Sequence, residues 1–338
     1  MSYRTLGRTA LQVGPLALGT VNFGYAAQGG GFTAEESDNF RMMYSALERG
    51  LNHFDTSNNY NAGRAEEIIG RFMKERGGRE EIVLATKLYC RPNDWGSPDP
   101  EKQSGSYIGP NQRGLSAKHI IEACNASLKR LQTDYIDIYQ MHHVDRAAPF
   151  EEIWQAFEVL VQQGKVIYVG TSNFAGWHIA KACERASARN FLGPVSEQSI
   201  YSLMNRTVEL EVIPACCDYG MAFIPYSPAA GGLLAVAGGM EGGHRSMKKF
   251  NDATPKVLEQ LVRYAEVCRD IGHAPADIAI AWVAANPNVT APIIGPRTME
   301  HLDSAIAALD ITLDEEIMVR LDEIFPGPGG EAPEAYAW

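Results

Sequence analysis

The chain has no apolar run approaching the ~20 residues that a membrane-spanning helix needs, and Met1-Ser2-Tyr3-Arg4-Thr5 lacks the apolar core of a secretory signal. A cytoplasmic protein without a membrane partner is therefore expected. Its 6 cysteines (Cys90, Cys124, Cys183, Cys216, Cys217, Cys268) form no CxxC pair, keep no regular interval and match no histidine spacing. That argues against a zinc site, any other metal centre and a disulfide framework, and leaves the thiols as small buried apolar groups. Positive charge is scarce: 30 Lys and Arg against 41 Asp and Glu leave a net charge of -11, which speaks against nucleic acid and anionic membranes as partners. A locally basic pocket for a phosphorylated cofactor is compatible with that balance. No G-x-G-x-x-G opens a helix after a strand, so the phosphate turn of an open doubly wound sheet is missing.

What the chain does have is apolar material, 45% of 338 residues, enough for one large core. Tyr3 to Val13, punctuated by Gly7 and Gly14, reads as an N-terminal hairpin within residues 1–15, and Leu16-Ala17-Leu18-Gly19-Thr20 as a first core strand. Short apolar strands recur at 52–55, 82–87, 135–142, 166–173, 195–201, 221–228 and 291–295. Helices of period 3.6 fall between most of them, at 34–49, 65–75, 116–131, 150–163, 175–189 and 208–218. Eight strands separated by helices predict one α/β domain over 1–338, a closed (β/α)8 barrel of the TIM type. Two loops, 90–114 and 229–254, are long enough to lie over the barrel mouth. Extra helices are predicted at 255–271, 276–286, 298–309 and 315–324, before an aromatic tail over 325–338.

The polar residues gather at one end of these strands. Asp55, Lys87, His142, Asn173, Gln198, Ser227 and Arg297 all stand at or just past a predicted carboxyl end. In a barrel those ends converge on one rim, where ligands bind. Asp55, Tyr60, Lys87 and His142 together make a proton-transfer set. A tyrosine ionises near ~10, so acting as an acid near neutrality calls for a cation beside its phenolate. Lys87 would supply it, and Asp55 would hold the ammonium. Each residue alone has a plainer reading: a solvated Lys, a packed Tyr, an Asp that opens a helix. Alternation lets only one of His142 and His143 face the pocket, and His142 shares parity with Ile136, Ile138 and Gln140.

Over almost its whole length the sequence resembles the aldo-keto reductases. The likeness is carried by Phe54-Asp55-Thr56-Ser57-Asn58-Asn59-Tyr60, Leu84-Ala85-Thr86-Lys87, the run from Asp134 to His142, Gly164 to Phe174, and Leu18-Gly19-Thr20. The resemblance implies that Tyr60 is the general acid, that Lys87 and Asp55 tune it, and that His142 orients a substrate carbonyl. It implies an extended nicotinamide cofactor held through Gly19 and Thr20, with Ser172, Asn173 and Gln198 on its carboxamide and Tyr226 stacked on the ring. Ser227, Pro228 and the backbone from Gly231 to Leu233 would hold its pyrophosphate. The segment from Ile293 through Gly295 to Arg297 matches the family's stretch after the last strand, and Arg297 at a helix start suits a 2′-phosphate, which favours NADPH over NADH. Where relatives often carry Gln and then Asn further along this helix, His301 and Ala305 stand here.

Carbonyl reduction, with Trp95 and Tyr107 as aromatic substrate contacts, is the expected activity. The tail from Phe325 to Trp338 also resembles nucleotide-deoxysugar 2,3-enoyl reductases, which would make an enone the substrate. A third expectation, from the potassium-channel β subunits that share this barrel, is a sensor that binds NADPH and barely oxidises it.

Overall fold

The hairpin comes first: β1 (Arg4–Thr5) and β2 (Gln12–Val13) pair antiparallel, Arg4 opposite Val13. In the computed structural model, which describes residues 2–24, 35–92, 109–239 and 244–337, the eight strands that follow are all parallel. They are β3 (Ala17–Gly19), β4 (His53–Asp55), β5 (Val83–Leu88), β6 (Ile136–Met141), β7 (Val166–Ser172), β8 (Pro194–Gln198), β9 (Ala222–Phe223) and β10 (Ile293–Ile294). Their order is β10-β3-β4-β5-β6-β7-β8-β9, and the parallel bridges Phe223 to Val289 and Tyr226 to Ile293 join the two ends. The sheet thus closes into the (β/α)8 barrel.

Helices α1 (Glu36–Glu48), α2 (Arg64–Arg76), α3 (Ala117–Leu131), α4 (Phe150–Gln162), α5 (Gly176–Ser187) and α6 (Val212–Asp218) follow successive strands, as crossover connections between parallel neighbours require. Several starts are capped as the sequence suggests: Ser116 accepts from the His119 N–H, and Thr254 from the Val257 N–H with Pro255 beside it.

Alternation along each strand sorts its side chains. Phe54 turns outward and packs near Phe72, ring centroids 6.2 Å apart, in the layer between strands and helices. The lower part of the barrel interior is apolar: Ala17, Val83, Ala85, Ile138, Ala222, Ile224 and Ile293 pack with Leu6 and Val13 of the hairpin. The hairpin plugs the amino-terminal end. Gly7, at φ 52°, lies so close to backbone atoms of Val195, Gly220 and Ala222 that no side chain fits there.

Two differences from expectation have physical reasons. The 229–254 loop is partly helical: after short 3-10 turns it contains α7 (His244–Asn251), whose Met247 and Phe250, one turn apart, pack on the core. The helix predicted at 208–218 begins only at Val212. Before it, a 3-10 turn at Thr207–Glu209 is held by Arg206 Nε and Tyr201 Oη, both donating to Glu209 Oε1. Beyond lie α8 (Pro255–Asp270), α9 (Pro275–Ala285), α10 (Met299–Ala307), α11 (Glu315–Ile324) and, in the tail, α12 (Glu334–Ala337).

Candidate active site

Strand register sets the site. Gly19 lies beside Asp55, Asp55 beside Ala85, Lys87 beside Gln140, and Ser172 beside Gln198, so the polar ends of five strands meet above the apolar layer. Lys87, fully buried, is the hub. Its Nζ donates to Asp55 Oδ2 at 2.6 Å, to the Thr56 carbonyl at 2.8 Å and to Tyr60 Oη at 3.3 Å. Asp55 Oδ1 accepts from Gln198 Nε2 at 2.8 Å and Gln140 Nε2 at 3.3 Å, and Thr20 donates from both N–H and hydroxyl to the Asp55 carbonyl at 3.0 Å. Every charge here has a partner, which a buried ion pair needs.

Tyr60 reaches the cluster because the chain turns sharply after it. Asn61 and Ala62 adopt left-handed φ values of 49° and 60°, and Asn61 Nδ2 is tied to the carbonyls of Val21 and Phe23. His142 joins edge-on, its ring centroid 6.1 Å from that of Tyr60, with Nδ1 3.2 Å from Ser57 Oγ.

The electrostatics follow from burial and from Lys87. Burial raises the Tyr60 pKa more than the neighbouring Lys87 charge lowers it, so the phenol keeps its proton at neutral pH. Burial opposes the Lys87 charge, but Asp55 and Tyr60 more than offset this, and the ammonium is retained. His142 lies well below the ordinary imidazole value through burial, then Lys87 and His143, so its ring is neutral.

A second group lies beside the first. Asn173, in a left-handed turn at φ 59°, donates through Nδ2 to the His142 carbonyl at 3.1 Å and to Ser172 Oγ at 3.0 Å; its Oδ1 accepts from Tyr226 Oη at 2.9 Å. Ser172 Oγ donates to the Gln198 carbonyl at 2.8 Å. Past β9, Ser227 is left-handed at φ 58° and Pro228 is buried; Gly231 and Gly232 have positive φ where an added side chain would strike Lys249 and Ser246. Lys249 Nζ donates to the Ala230 carbonyl at 2.9 Å, which brings a cation to this glycine loop, while Leu233 is buried beneath it. Past β10, Gly295 is exposed and its carbonyl accepts from Asn22 Nδ2 at 3.2 Å; the Arg297 N–H points at His301 Nδ1, 3.4 Å away, at the start of α10. Gly19 packs against Ile293.

The structure thus joins Asp55, Lys87, Tyr60 and Gln198 directly, brings in His142 through Ser57, and gathers Ser172, Asn173 and Tyr226 alongside. Trp95 and Tyr107 lie outside the described residues. Sequence reasoning did not single out Gln140, Ser57 or Lys249 as site residues. Gln140 had the right parity, and Lys249 had only its place beside Lys248 as a signal. Among the described residues no group of His, Cys, Asp and Glu is arranged to hold a metal ion, and no helix is long and apolar enough to cross a membrane.

A closed (β/α)8 barrel with these side chains on its carboxyl rim belongs to the aldo-keto reductase family, whose model matches residues 15–325. The chain is an oxidoreductase of that family, which works with nicotinamide cofactors. It is 49% identical over the full length of both chains to the Bacillus subtilis protein named uncharacterized oxidoreductase YrpG. It is 32% identical to versiconal hemiacetal acetate reductase of Aspergillus parasiticus, over 96% of each chain. A Schizosaccharomyces pombe protein named putative voltage-gated potassium channel subunit beta is also 32% identical, over 95% of this chain and 92% of its own.

Proposed function

We propose that the protein reduces an aldehyde or ketone with NADPH, with Tyr60 as the proton donor. The observation that carries this is the Lys87 ammonium, bonded at once to Asp55 and to the Tyr60 oxygen. A phenol that gives its proton to a forming alkoxide becomes a phenolate, and an ammonium already beside it stabilises that charge without rearrangement. Asp55 keeps the ammonium charged and aimed. His142, neutral, would orient the substrate oxygen, its ring held by the contact between Nδ1 and Ser57 Oγ at 3.2 Å. Burial of this cluster excludes water from the proton being transferred.

The donor set beside Tyr60 fits a nicotinamide. A carboxamide needs both donors and acceptors, and Ser172, Asn173 and Gln198 offer hydroxyl and amide groups of both kinds. When bound, the cofactor supplies the hydride. Tyr226 would lie against the ring. Ser227, Pro228 and the Gly231 to Leu233 backbone, with Lys249 and with Gly19 and Thr20 opposite, would hold the pyrophosphate. Arg297 and His301 at the start of α10 would take the 2′-phosphate, where a guanidinium at the positive end of a helix favours an anion. Trp95 and Tyr107 remain the proposed substrate contacts.

The test is steady-state oxidation of NADPH by the purified protein with 4-nitrobenzaldehyde, repeated with NADH. Turnover with a clear preference for NADPH supports the reading. The potassium-channel subunit relative motivates a second one, a dinucleotide-binding subunit that barely turns over; tight NADPH binding without appreciable oxidation would favour it. The enone reading stands on the tail sequence and would be tested in the same assay with an α,β-unsaturated ketone.

A further inference from the structure

Behind the proposed carboxamide contacts lies a carboxyl group for which the reaction above has no use. Glu197 precedes Gln198 on β8, so alternation turns it away from the barrel interior, where it is fully buried. Its Oε1 accepts from Ser199 Oγ at 2.6 Å and from the Phe174 N–H at 3.2 Å, and its Oε2 accepts from Thr171 Oγ1 at 2.5 Å. Thr171 and Phe174 bracket Ser172 and Asn173. Asn173 is left-handed, a conformation that costs a non-glycine residue energy unless its surroundings impose it. The grip on both sides of the turn joins the bonds that Asn173 itself makes with Gln198, His142 and Tyr226 in imposing it.

We propose that Glu197 is a positioning residue for cofactor binding: by holding Thr171 and the Phe174 amide it fixes the Ser172 and Asn173 side chains toward the carboxamide, and so sets dinucleotide affinity without touching the dinucleotide. This rests on the nicotinamide reading of the site.

The Thr171 hydroxyl gives Glu197 two satisfied states. Ionised, its Oε2 accepts from Thr171. Protonated on Oε2, the acid donates to Thr171 Oγ1, whose own hydrogen turns to the Ser196 carbonyl 3.2 Å away. Oε1 keeps both donors in either state, but the bonds are charge-assisted, and roughly twice as strong, only when the group is ionised. Burial pushes the carboxyl up to about 7 against the lowering effect of Ser199, Thr171 and the turn amides. The titratable groups that sense it from neighbouring elements are the Cys216 thiol of α6 and the Tyr226 phenol, both raised first by burial, so neither changes charge near neutrality. Among the described residues no Lys, Arg or His is bonded to Glu197. The dinucleotide is therefore held more tightly above pH 7 than below it.

The experiment is NADPH binding, followed by the fluorescence of the bound dinucleotide from pH 6 to 8, for the full-length wild type, Glu197→Gln and Glu197→Leu, with kcat measured at saturating cofactor. The Leu variant should raise Kd about tenfold, the worth of one or two lost hydrogen bonds, while kcat stays within about threefold. The Gln variant should reproduce the wild-type Kd at pH 6, and the ratio of the two Kd values should grow toward pH 8; titration of a 2′-phosphate cancels in that ratio. A folded Leu variant with wild-type Kd, or a wild-type to Gln ratio independent of pH, overturns the proposal. The second comparison decides even where the Leu variant does not fold. A wild type that binds no dinucleotide at any pH overturns the nicotinamide reading itself, and is thereby distinct from failure of the Glu197 role.

Discussion

Two residues of strand separate the lower barrel interior from the upper one, and the chemistry changes completely over that step. On β5, Ala85 faces the apolar layer and Lys87 the charged one; on β6, Ile138 and Gln140 repeat the change. The lower layer contributes stability by burying apolar area and by its plug, the hairpin. The upper layer holds an ion pair whose two charges are paid for by mutual contact, by Gln140 and Gln198, and by backbone carbonyls. The difference teaches that the charged cluster relies on a rigid base made by the same strands, so that stability and chemistry should come apart under mutation.

Lys87→Met would break the upper layer most severely. It leaves Asp55 buried and unpaired, which costs about 3–5 kcal/mol of stability, and removes the phenolate's partner, lowering kcat by about 10²–10⁴. Adding Asp55→Leu should restore much of the stability and none of the rate. Chemical denaturation beside steady-state kinetics checks both.

Ile138→Ala strikes the lower layer. A cavity there should cost about 2–5 kcal/mol and leave kcat per folded molecule nearly unchanged. A loss of kcat comparable with that of Lys87→Met would erase the distinction between layers.

His53, in register with Ala17 and Val83, is a polar exception in the lower layer, buried, with both ring nitrogens unpartnered among the described residues. Burial pushes it down from the ordinary 6.5 to about 4, so between those values the unfolded chain binds more protons than the folded one. The His53 contribution to stability therefore falls as pH drops from 6.5 toward 4, by about 2 kcal/mol between pH 7 and pH 5, while Glu197, raised to about 7, acts in the opposite direction over the same window. His53→Leu should remove that loss; an unchanged acid slope in denaturation measurements would contradict the assignment. The smallest effect concerns the rim. Arg297→Leu should weaken NADPH relative to NADH by about tenfold in kcat/KM, the worth of one charge-assisted contact, with kcat nearly constant.

Much of this was legible in the sequence because strand alternation and strand ends are local properties. Asp55, Lys87 and His142 announce themselves as polar residues closing apolar runs. Gln140 had the right parity, yet its contact with Asp55 depends on the register of β5 against β6, and register across a barrel is set by the whole closure. Gln198 shows the same limit: its place at a strand end is local, but its bond to Asp55 is made across the barrel. Helix α7 was unreadable because glycines on its N-terminal side break the period, and Lys249 reaches the Ala230 loop only through that helix. Glu197 could be seen only once the Thr171, Phe174 and Ser199 donors were brought around it.

The most direct test of the central claim is NADPH oxidation with 4-nitrobenzaldehyde by Tyr60→Phe beside the wild type. Removing one hydroxyl leaves the Lys87 and Asp55 pair intact, so the variant should fold and bind cofactor normally while kcat falls by about 10²–10⁴. A Phe variant that turns over within about threefold of the wild type would contradict Tyr60 as the proton donor, since a group that gives the proton supplies at least ~10²-fold.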